Sequence, residues 1–213
     1  PKKGVGMSEL DSEYLKWYEQ YPKLKYDLRS SGILDFNWSL NLENFDLSET
    51  FPSGNPEARE TVAKRYRVSS ENVFISSDGA SGVNARIIKC LASMKGKRQA
   101  VVEYPVYEPL LRQTQSFFSD VKRIRRKKEN AYQIDKNDLR RVISDKTALL
   151  VITNPHAPTG ANSSKTELEE IMELASKHEF YVLCDEIYAE FDRSNNPTLF
   201  SICLLYTSDA ADE

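Results

Sequence analysis

Short apolar runs alternate with amphipathic segments from residue 72 onward, and this alternation predicts most of the secondary structure. The runs are bounded by turn residues, which is typical of strands. Between the runs, apolar residues recur at intervals of three and four positions, which indicates helices. Strands are predicted near 73–76, 100–104, 121–125, 148–153 and 180–184, and helices over 81–94, 107–117, 134–143 and 164–178.

Most of the predicted strands are continuous apolar runs, whereas a strand with one solvated face would alternate apolar and polar residues. This pattern predicts an α/β fold with a mainly parallel sheet and helices on both faces. In such open sheets, ligands bind beyond the carboxyl ends of the strands.

Residues 1–53 follow a different pattern. Apolar and aromatic residues recur near helical spacing over 10–21, behind a predicted N-cap at Ser8, and Pro, Gly and polar residues interrupt the pattern afterwards. We interpret this region as an arm. A short helix is predicted next, over 57–66, with Ala58, Val62 and Ala63 toward the core.

The charge balance argues against nucleic-acid and membrane partners. The sequence has 29 Lys and Arg residues and 32 Asp and Glu residues, so the formal net charge is −3. No overall electrostatic field therefore attracts a polyanion. The basic stretch 122–128 straddles a predicted strand and turn without interleaved aromatic residues, so we interpret it as a solvated edge strand.

The cysteines and the lengths of the apolar runs indicate the cellular compartment of the protein. Cys90, Cys184 and Cys203 form an odd set without metal-like pairing, and no apolar stretch reaches the roughly 18 residues of a membrane helix. The first residues also lack the apolar segment of a signal peptide. A reduced, cytoplasmic location is therefore predicted.

A loop of small residues at 77–82 lies between a predicted strand and a predicted helix. A helix N-terminus offers unpaired N–H groups and the positive end of the helix dipole, so a phosphate is the natural ligand there. The loop matches neither common glycine-rich nucleotide motif, and a plain turn into a helix remains the alternative.

Two prolines and a glycine at 154–160 follow the predicted strand at 148–153. They fix a rigid turn that projects Asn154 from the strand end. A binding role for Asn154 and a purely structural turn are both consistent with this pattern.

Asp185 and Glu186 come directly after another predicted strand. Two carboxylates at the end of a buried strand are costly unless one is exposed or paired. An Asp at this place can serve a cationic ring nitrogen or a metal. Because the two histidines, His156 and His178, form no ligand pair with it, we predict no metal site.

Together these segments resemble the fold type I pyridoxal-phosphate enzymes, specifically the class I/II aminotransferases, with the histidinol-phosphate aminotransferase-like branch nearest. The resemblance covers roughly residues 33–200. Its most specific elements are Asn-Pro-x-x-Pro-Thr-Gly at 154–160 and Asp-Glu-x-Tyr at 185–188, in that order. It implies pyridoxal 5'-phosphate as cofactor, an amino acid and a 2-oxo acid as substrates, and a homodimer.

The resemblance also implies how the cofactor ring is held. Asp185 would pair with the pyridinium N–H and keep the ring protonated, so that the ring acts as an electron sink. Asn154 and Tyr188 would hydrogen-bond its phenolic oxygen. The relatives commonly have a cis peptide bond at this position, so the resemblance predicts a cis bond between Asn154 and Pro155.

The resemblance places the remaining cofactor contacts at two other strand ends. Tyr107 matches the aromatic residue that stacks on the ring. The backbone N–H groups of Ala80 and Ser81 match the phosphate-binding turn, which supports a binding role for the loop at 77–82.

The sequence departs from the family pattern at three places. His156 and Ala157 stand where the family usually has polar residues such as Asn, and Phe51 stands where many relatives have a Tyr that reaches the partner subunit's phosphate. The family also needs a lysine after Asp-Glu-x-Tyr to form a Schiff base with the cofactor, whereas the last lysine here is Lys177. No catalytic residue is therefore assigned.

These departures predict an incomplete aminotransferase that is inactive as given. Residues 1–53 would form the arm and part of a small domain, 54–203 part of the cofactor-binding large domain, and 204–213 a non-native tail. Two alternatives stay open. One is a pyridoxal-phosphate-dependent decarboxylase of a phosphorylated amino acid, and the other is a non-catalytic module that binds pyridoxal phosphate or a nucleotide.

Overall fold

The computed structural model describes residues 12–21, 26, 39, 48, 50–52, 54–94, 96, 98–191 and 198–199. The chain divides into two compact units, residues 1–76 and 77–213. The predicted cap at Ser8 and the predicted tail at 204–213 lie outside the described residues.

The first unit contains two α-helices with capped starts. Helix α1 spans Glu13–Glu19, and Ser12 caps it by accepting a hydrogen bond from the backbone N–H of Leu15. Helix α2 spans Pro56–Tyr66, and the Asn55 side chain caps it in the same way. Proline at the first helical position favours this start, because its missing N–H would have no helical partner there.

The predicted core face of α2 is wrong in part. Ala63 is buried, but Ala58 and Val62 are exposed. Ala58 and Val62 lie one turn apart on a face that the described part of this unit does not cover.

The predicted strand at 73–76 is also wrong. A short 3-10 helix spans Ser70–Asn72, and the backbone then becomes extended at Val73 without pairing to a described strand. The carbonyl of Val73 accepts a hydrogen bond from Nε of Arg59 at 2.9 Å, so a side chain occupies a position that a neighbouring strand would use. An apolar run forms a strand only where a partner strand lies beside it.

The second unit alternates helices and strands as predicted, with boundaries that differ by one or two residues. Its elements are α3 (Gly79–Ser93), β1 (Gln99–Tyr104), α4 (Glu108–Phe117), β2 (Asp120–Arg125), α5 (Lys136–Val142), β3 (Thr147–Thr153), α6 (Lys165–His178) and β4 (Tyr181–Asp185). Short 3-10 helices span Lys128–Asn130 and Ala189–Phe191.

The four strands form one parallel sheet in the order β2-β1-β3-β4. Alternate residues along the central strands enter two different cores. Val101 and Leu150 pack with residues of α5 and α6, whereas Val102 and Leu149 pack with residues of α3 and α4. All seven residues of β3 are buried. The predicted α/β fold with helices on both faces of a parallel sheet is therefore confirmed.

The basic stretch at 122–128 overlaps the edge strand β2, as predicted, but it is not solvated throughout. Lys122 and Arg125 are exposed, whereas Arg126 is only 2% exposed because it forms an ion pair inside the protein. In the part of the chain that the structure describes, no helix is long and apolar enough to cross a membrane.

Candidate active site

Four of the six residues that the resemblance singles out lie at or just after the carboxyl ends of strands, and the other two lie at the start of helix α3. Ala80 and Ser81 are in the first turn of α3, and Tyr107 is the N-cap of α4, three residues after β1. Asn154 follows β3, Asp185 ends β4, and Tyr188 lies three residues later. The positions that follow β1, β3 and β4 share the carboxyl edge of the parallel sheet, where ligands bind.

Asp185 is held by contacts from three segments. Its Oδ2 accepts a hydrogen bond from Nδ2 of Asn84 on α3 at 2.8 Å, and its Oδ1 accepts one from the backbone N–H of Ile187 at 3.1 Å. Its main-chain carbonyl accepts from the N–H of Asn154 at 3.0 Å. The structure thus brings Asp185, Asn154 and helix α3 together.

Asn154 is 4% exposed, and its side-chain amide is oriented by its neighbours. Its Oδ1 accepts from the backbone N–H of Ser163 at 3.0 Å, so Nδ2 is the donor side of the amide. The Ser163 hydroxyl in turn donates to Oε1 of Glu167 at 3.2 Å. The peptide bond from Asn154 to Pro155 is cis, as predicted.

The N-terminus of α3 is built from small residues. Asp78, at the N-cap position, pairs with Arg86 instead of capping the helix with its side chain. Gly79 has φ +64°, which favours glycine, and a Cβ on Gly82 would overlap the side chain of Asp78. The first N–H groups of a helix have no partner within the helix, so this turn can bind an anion.

Two tyrosines complete the set. Tyr107 is 38% exposed at the start of α4. Helix α4 also contacts the α3 turn, where Nε2 of Gln113 donates to the carbonyl of Ser81 at 3.1 Å. Tyr188 is half-buried, and its ring centroid lies 6.2 Å from that of Phe191.

A buried polar network lies under the loop that carries Asn154. Nε of Arg126 donates to Oε2 of Glu103 at 2.7 Å, and both side chains are fully buried. Oε1 of Glu103 accepts from both the N–H and the hydroxyl of Thr153 at 2.7 Å each. The Thr153 hydroxyl accepts from the N–H of Ala157, so the network joins β1, β3 and the loop.

His156 extends this network and stays neutral. Its Nε2 donates to the carbonyl of Pro105 at 2.9 Å, and its Nδ1 accepts from the Thr159 hydroxyl at 2.6 Å. Burial and the nearby Arg126 lower the pKa of His156 to about 4. Burial also raises the pKa of Glu103 to about 7, although Arg126 and Thr153 oppose that shift.

The second carboxylate at the end of β4 points into the protein. Oε1 of Glu186 accepts from the N–H of Leu199 at 2.8 Å, and burial raises its pKa. Sγ of Cys184 lies 3.8 Å from the same oxygen, and burial raises the pKa of this thiol well above its ordinary value. Of the two adjacent carboxylates, that of Asp185 hydrogen-bonds to α3 and that of Glu186 to the main chain of Leu199. The described residues contain no cluster that could hold a metal ion.

Two residues that hydrogen-bond to the candidate site residues Asp185 and Asn154 were not predicted from the sequence. Asn84 lies four residues before Ile88 and seven before Leu91, on the apolar face of α3, and a lone amide on such a face signals a buried partner. Ser163 acts through its backbone N–H, so its side chain carried no signal of the contact to Asn154.

Comparison with known proteins places this geometry in context. The model of the family "Aminotransferase class I and II" matches residues 41–208. The tyrosine aminotransferase of Dictyostelium discoideum is 30% identical over 170 residues, which cover 75% of this chain and 40% of that protein. The aspartate aminotransferase of Musicola paradisiaca is 25% identical over 203 residues, which cover 87% of this chain and 50% of that protein.

A solved structure has the same fold. The aspartate aminotransferase from Thermus thermophilus with maleate aligns with a TM-score of 0.61 at 26% sequence identity. The alignment covers 71% of this chain and 41% of that chain. The chain therefore spans half or less of the length of these relatives.

Proposed function

Because this chain belongs to the class I and II aminotransferases, we propose that it contributes the cofactor-binding part of an enzyme that transfers an amino group between an amino acid and a 2-oxo acid. The observation that carries the proposal is the position of Asp185, which is held between the segment of Asn154 and helix α3. One carboxylate thus lies beside the second turn of a helix at the carboxyl edge of the sheet.

The donors and acceptors at this edge fit pyridoxal 5'-phosphate. The N-terminus of α3 offers backbone N–H groups at Ala80 and Ser81 to a phosphate. The Asp185 carboxylate matches a protonated ring nitrogen, and the Nδ2 edge of Asn154 matches a phenolic oxygen. When bound, the cofactor supplies an electron sink for the α-carbon of an amino acid.

The chain's own residues then have distinct roles in the proposed site. Asp185 accepts the ring N–H and keeps the proton on that nitrogen. Asn154 and Tyr188 donate to the phenolic oxygen, and Tyr107 stacks on the ring face. The network of Glu103 under the Asn154 loop keeps Asn154 in place, since it fixes the loop to two strands.

We also propose that the 213-residue chain does not itself catalyse transamination. The reaction needs an amine that attaches the cofactor and carries a proton at the substrate α-carbon. The last lysine of the sequence is Lys177, which is in the last turn of α6. Activity, a homodimeric assembly and a cytoplasmic location are proposed for the whole protein, and so is the division at residues 53 and 203.

Binding of pyridoxamine 5'-phosphate to the full chain tests the proposed site, because this form of the cofactor needs no lysine. We expect binding that weakens about tenfold or more in Asp185→Asn, since a hydrogen bond to a charged group is lost. Asp145→Asn changes a fully exposed carboxylate and should leave affinity unchanged. No binding by the wild-type chain, or equal affinity in Asp185→Asn, would contradict the proposal.

A second experiment tests the missing activity. The chain is incubated with pyridoxal phosphate, reduced with borohydride and digested, and 2-oxo acid formation is measured with a panel of amino acids. We expect no turnover and no stoichiometric label at one lysine. Turnover together with a single labelled lysine would show that an upstream lysine serves this role.

A further inference from the structure

We propose that Asn84 is a positioning residue that orients the Asp185 carboxylate toward the cofactor ring nitrogen, an inference that rests on the proposed function. Asn84 is 9% exposed and donates to Oδ2 of Asp185 at 2.8 Å. The two residues are 101 positions apart, so the bond joins α3 directly to the end of β4.

The two oxygens of Asp185 have separate donors. Nδ2 of Asn84 engages Oδ2, and the N–H of Ile187 engages Oδ1. A carboxylate bound at both oxygens has a fixed plane, and the remaining lone pairs then point in fixed directions. The orientation of Asp185 is therefore set before a ligand arrives.

Both donors are neutral, which matters for the charge of the site. Among the described residues, no ion pair involves Asp185, and Arg86, two residues after Asn84 in α3, pairs with Asp78. Neither donor therefore brings a positive charge to the carboxylate, whereas a lysine or arginine at position 84 would compete with a cationic ligand for it.

Asn84 also links the two ends of the proposed cofactor site. Ala80 and Asn84 are four residues apart in α3, so they lie on the same side of one helix, one turn apart. A rigid helix turn therefore sets the spacing between the phosphate-binding N–H groups and the partner of the ring nitrogen. An amide at position 84 is the group that completes this connection.

The test compares two ligands in the full chain. Pyridoxamine phosphate has the ring nitrogen, and 1-deazapyridoxamine phosphate has carbon there but the same phosphate. The ratio of their affinities reports the contact to Asp185 separately from the phosphate contacts. We expect Asn84→Leu to reduce this ratio about tenfold, the effect of one hydrogen bond.

Two further variants keep the test sharp. Asn84→Ala also removes the donor and favours a helix, so it serves if the leucine variant fails to fold by circular dichroism. Ile88→Val trims a buried side chain of the same helix without touching Asp185, and should leave the ratio unchanged. The 15N chemical shift of labelled ligand bound to each variant reports ring protonation independently.

The outcomes separate this inference from the proposed function. An unchanged ratio in both Asn84 variants would overturn the role of Asn84 and leave the site assignment intact. Equal weakening of both ligands would also overturn it, because the effect would then be on the helix and not on Asp185. If the wild-type chain does not distinguish the ligands, the assignment of Asp185 itself fails.

Discussion

Substituting Glu103 and His156, one at a time, should change the pH dependence of folding stability in opposite directions. Burial raises the pKa of Glu103 from 4.5 to about 7 and lowers that of His156 from 6.5 to about 4. Burial therefore disfavours the charged form of each group in the folded protein, and at Glu103 the ion pair with Arg126 offsets only part of this effect. Glutamine is a suitable replacement at both positions, since it can accept from Thr153 at the first and donate to Pro105 at the second.

Proton linkage gives the direction in which each group changes folding stability with pH. The folded protein binds the Glu103 proton more tightly than the unfolded chain, so this group's stabilisation is lost as pH rises from 4.5 to 7. For His156 the unfolded chain binds the proton more tightly, so its stabilisation is lost as pH falls from 6.5 to 4. Each shift corresponds to about 3 kcal/mol. In the wild-type chain the two effects oppose each other over most of this range.

Removing one group leaves the other unopposed. The stability of Glu103→Gln relative to wild type should rise by about 3 kcal/mol between pH 4.5 and 7. That of His156→Gln should fall by a similar amount, about 3 kcal/mol, between pH 4 and 6.5. Any constant cost, such as an amide facing Arg126, shifts the whole profile without changing its slope.

Urea denaturation followed by far-UV circular dichroism at half-unit pH steps measures these differences. Other carboxylates titrate equally in all three proteins and cancel when each variant is compared with wild type. The double variant serves as the control and should have a nearly flat difference profile. The two single variants would contradict the assigned pKa shifts of Glu103 and His156 if their stability differences changed with pH in the same direction, or each in the direction opposite to that expected.

Three further substitutions test the helix starts and the core by urea denaturation. Gly82→Ala should destabilise the chain by about 1–3 kcal/mol and weaken pyridoxamine phosphate binding, because the new Cβ displaces Asp78. Unchanged binding would contradict this close approach. Ser164→Ala removes the N-cap of α6 and should cost about 1 kcal/mol. Leu150→Ala should cost about 2–5 kcal/mol, whereas the exposed control Ile187→Ala should stay within about 0.5 kcal/mol.

Strands that lie inside the sheet were predictable, because burial on both faces imposes a continuous apolar run. The run at 148–153 became β3, all of which is buried. The similar run at 73–76 did not become a strand, since pairing depends on a neighbour that local sequence does not specify. Hydrophobicity alone therefore located strands only where the fold also supplied partners.

Buried charges were the least predictable feature. Arg126 sits in a basic stretch that indicates solvent exposure, yet it is buried against Glu103, 23 residues earlier. A charged side chain can be buried when a partner and hydrogen bonds offset its desolvation, and that partner is fixed by tertiary structure. The order of charged residues along the chain therefore does not predict which of them form buried ion pairs.

In the candidate site, too, the positions of single loops could be predicted from local sequence, whereas their spatial arrangement could not. The loops after β3 and β4 could be located from their own residues, because a strand end followed by Pro, Gly or carboxylate residues is a local signal. Their convergence depends on strand order, which puts β4 directly beside β3 and lets Asn154 bond the carbonyl of Asp185. This adjacency brings the Asn154 loop to the main chain of Asp185, and the helix that carries Asn84 contributes a donor to its carboxylate.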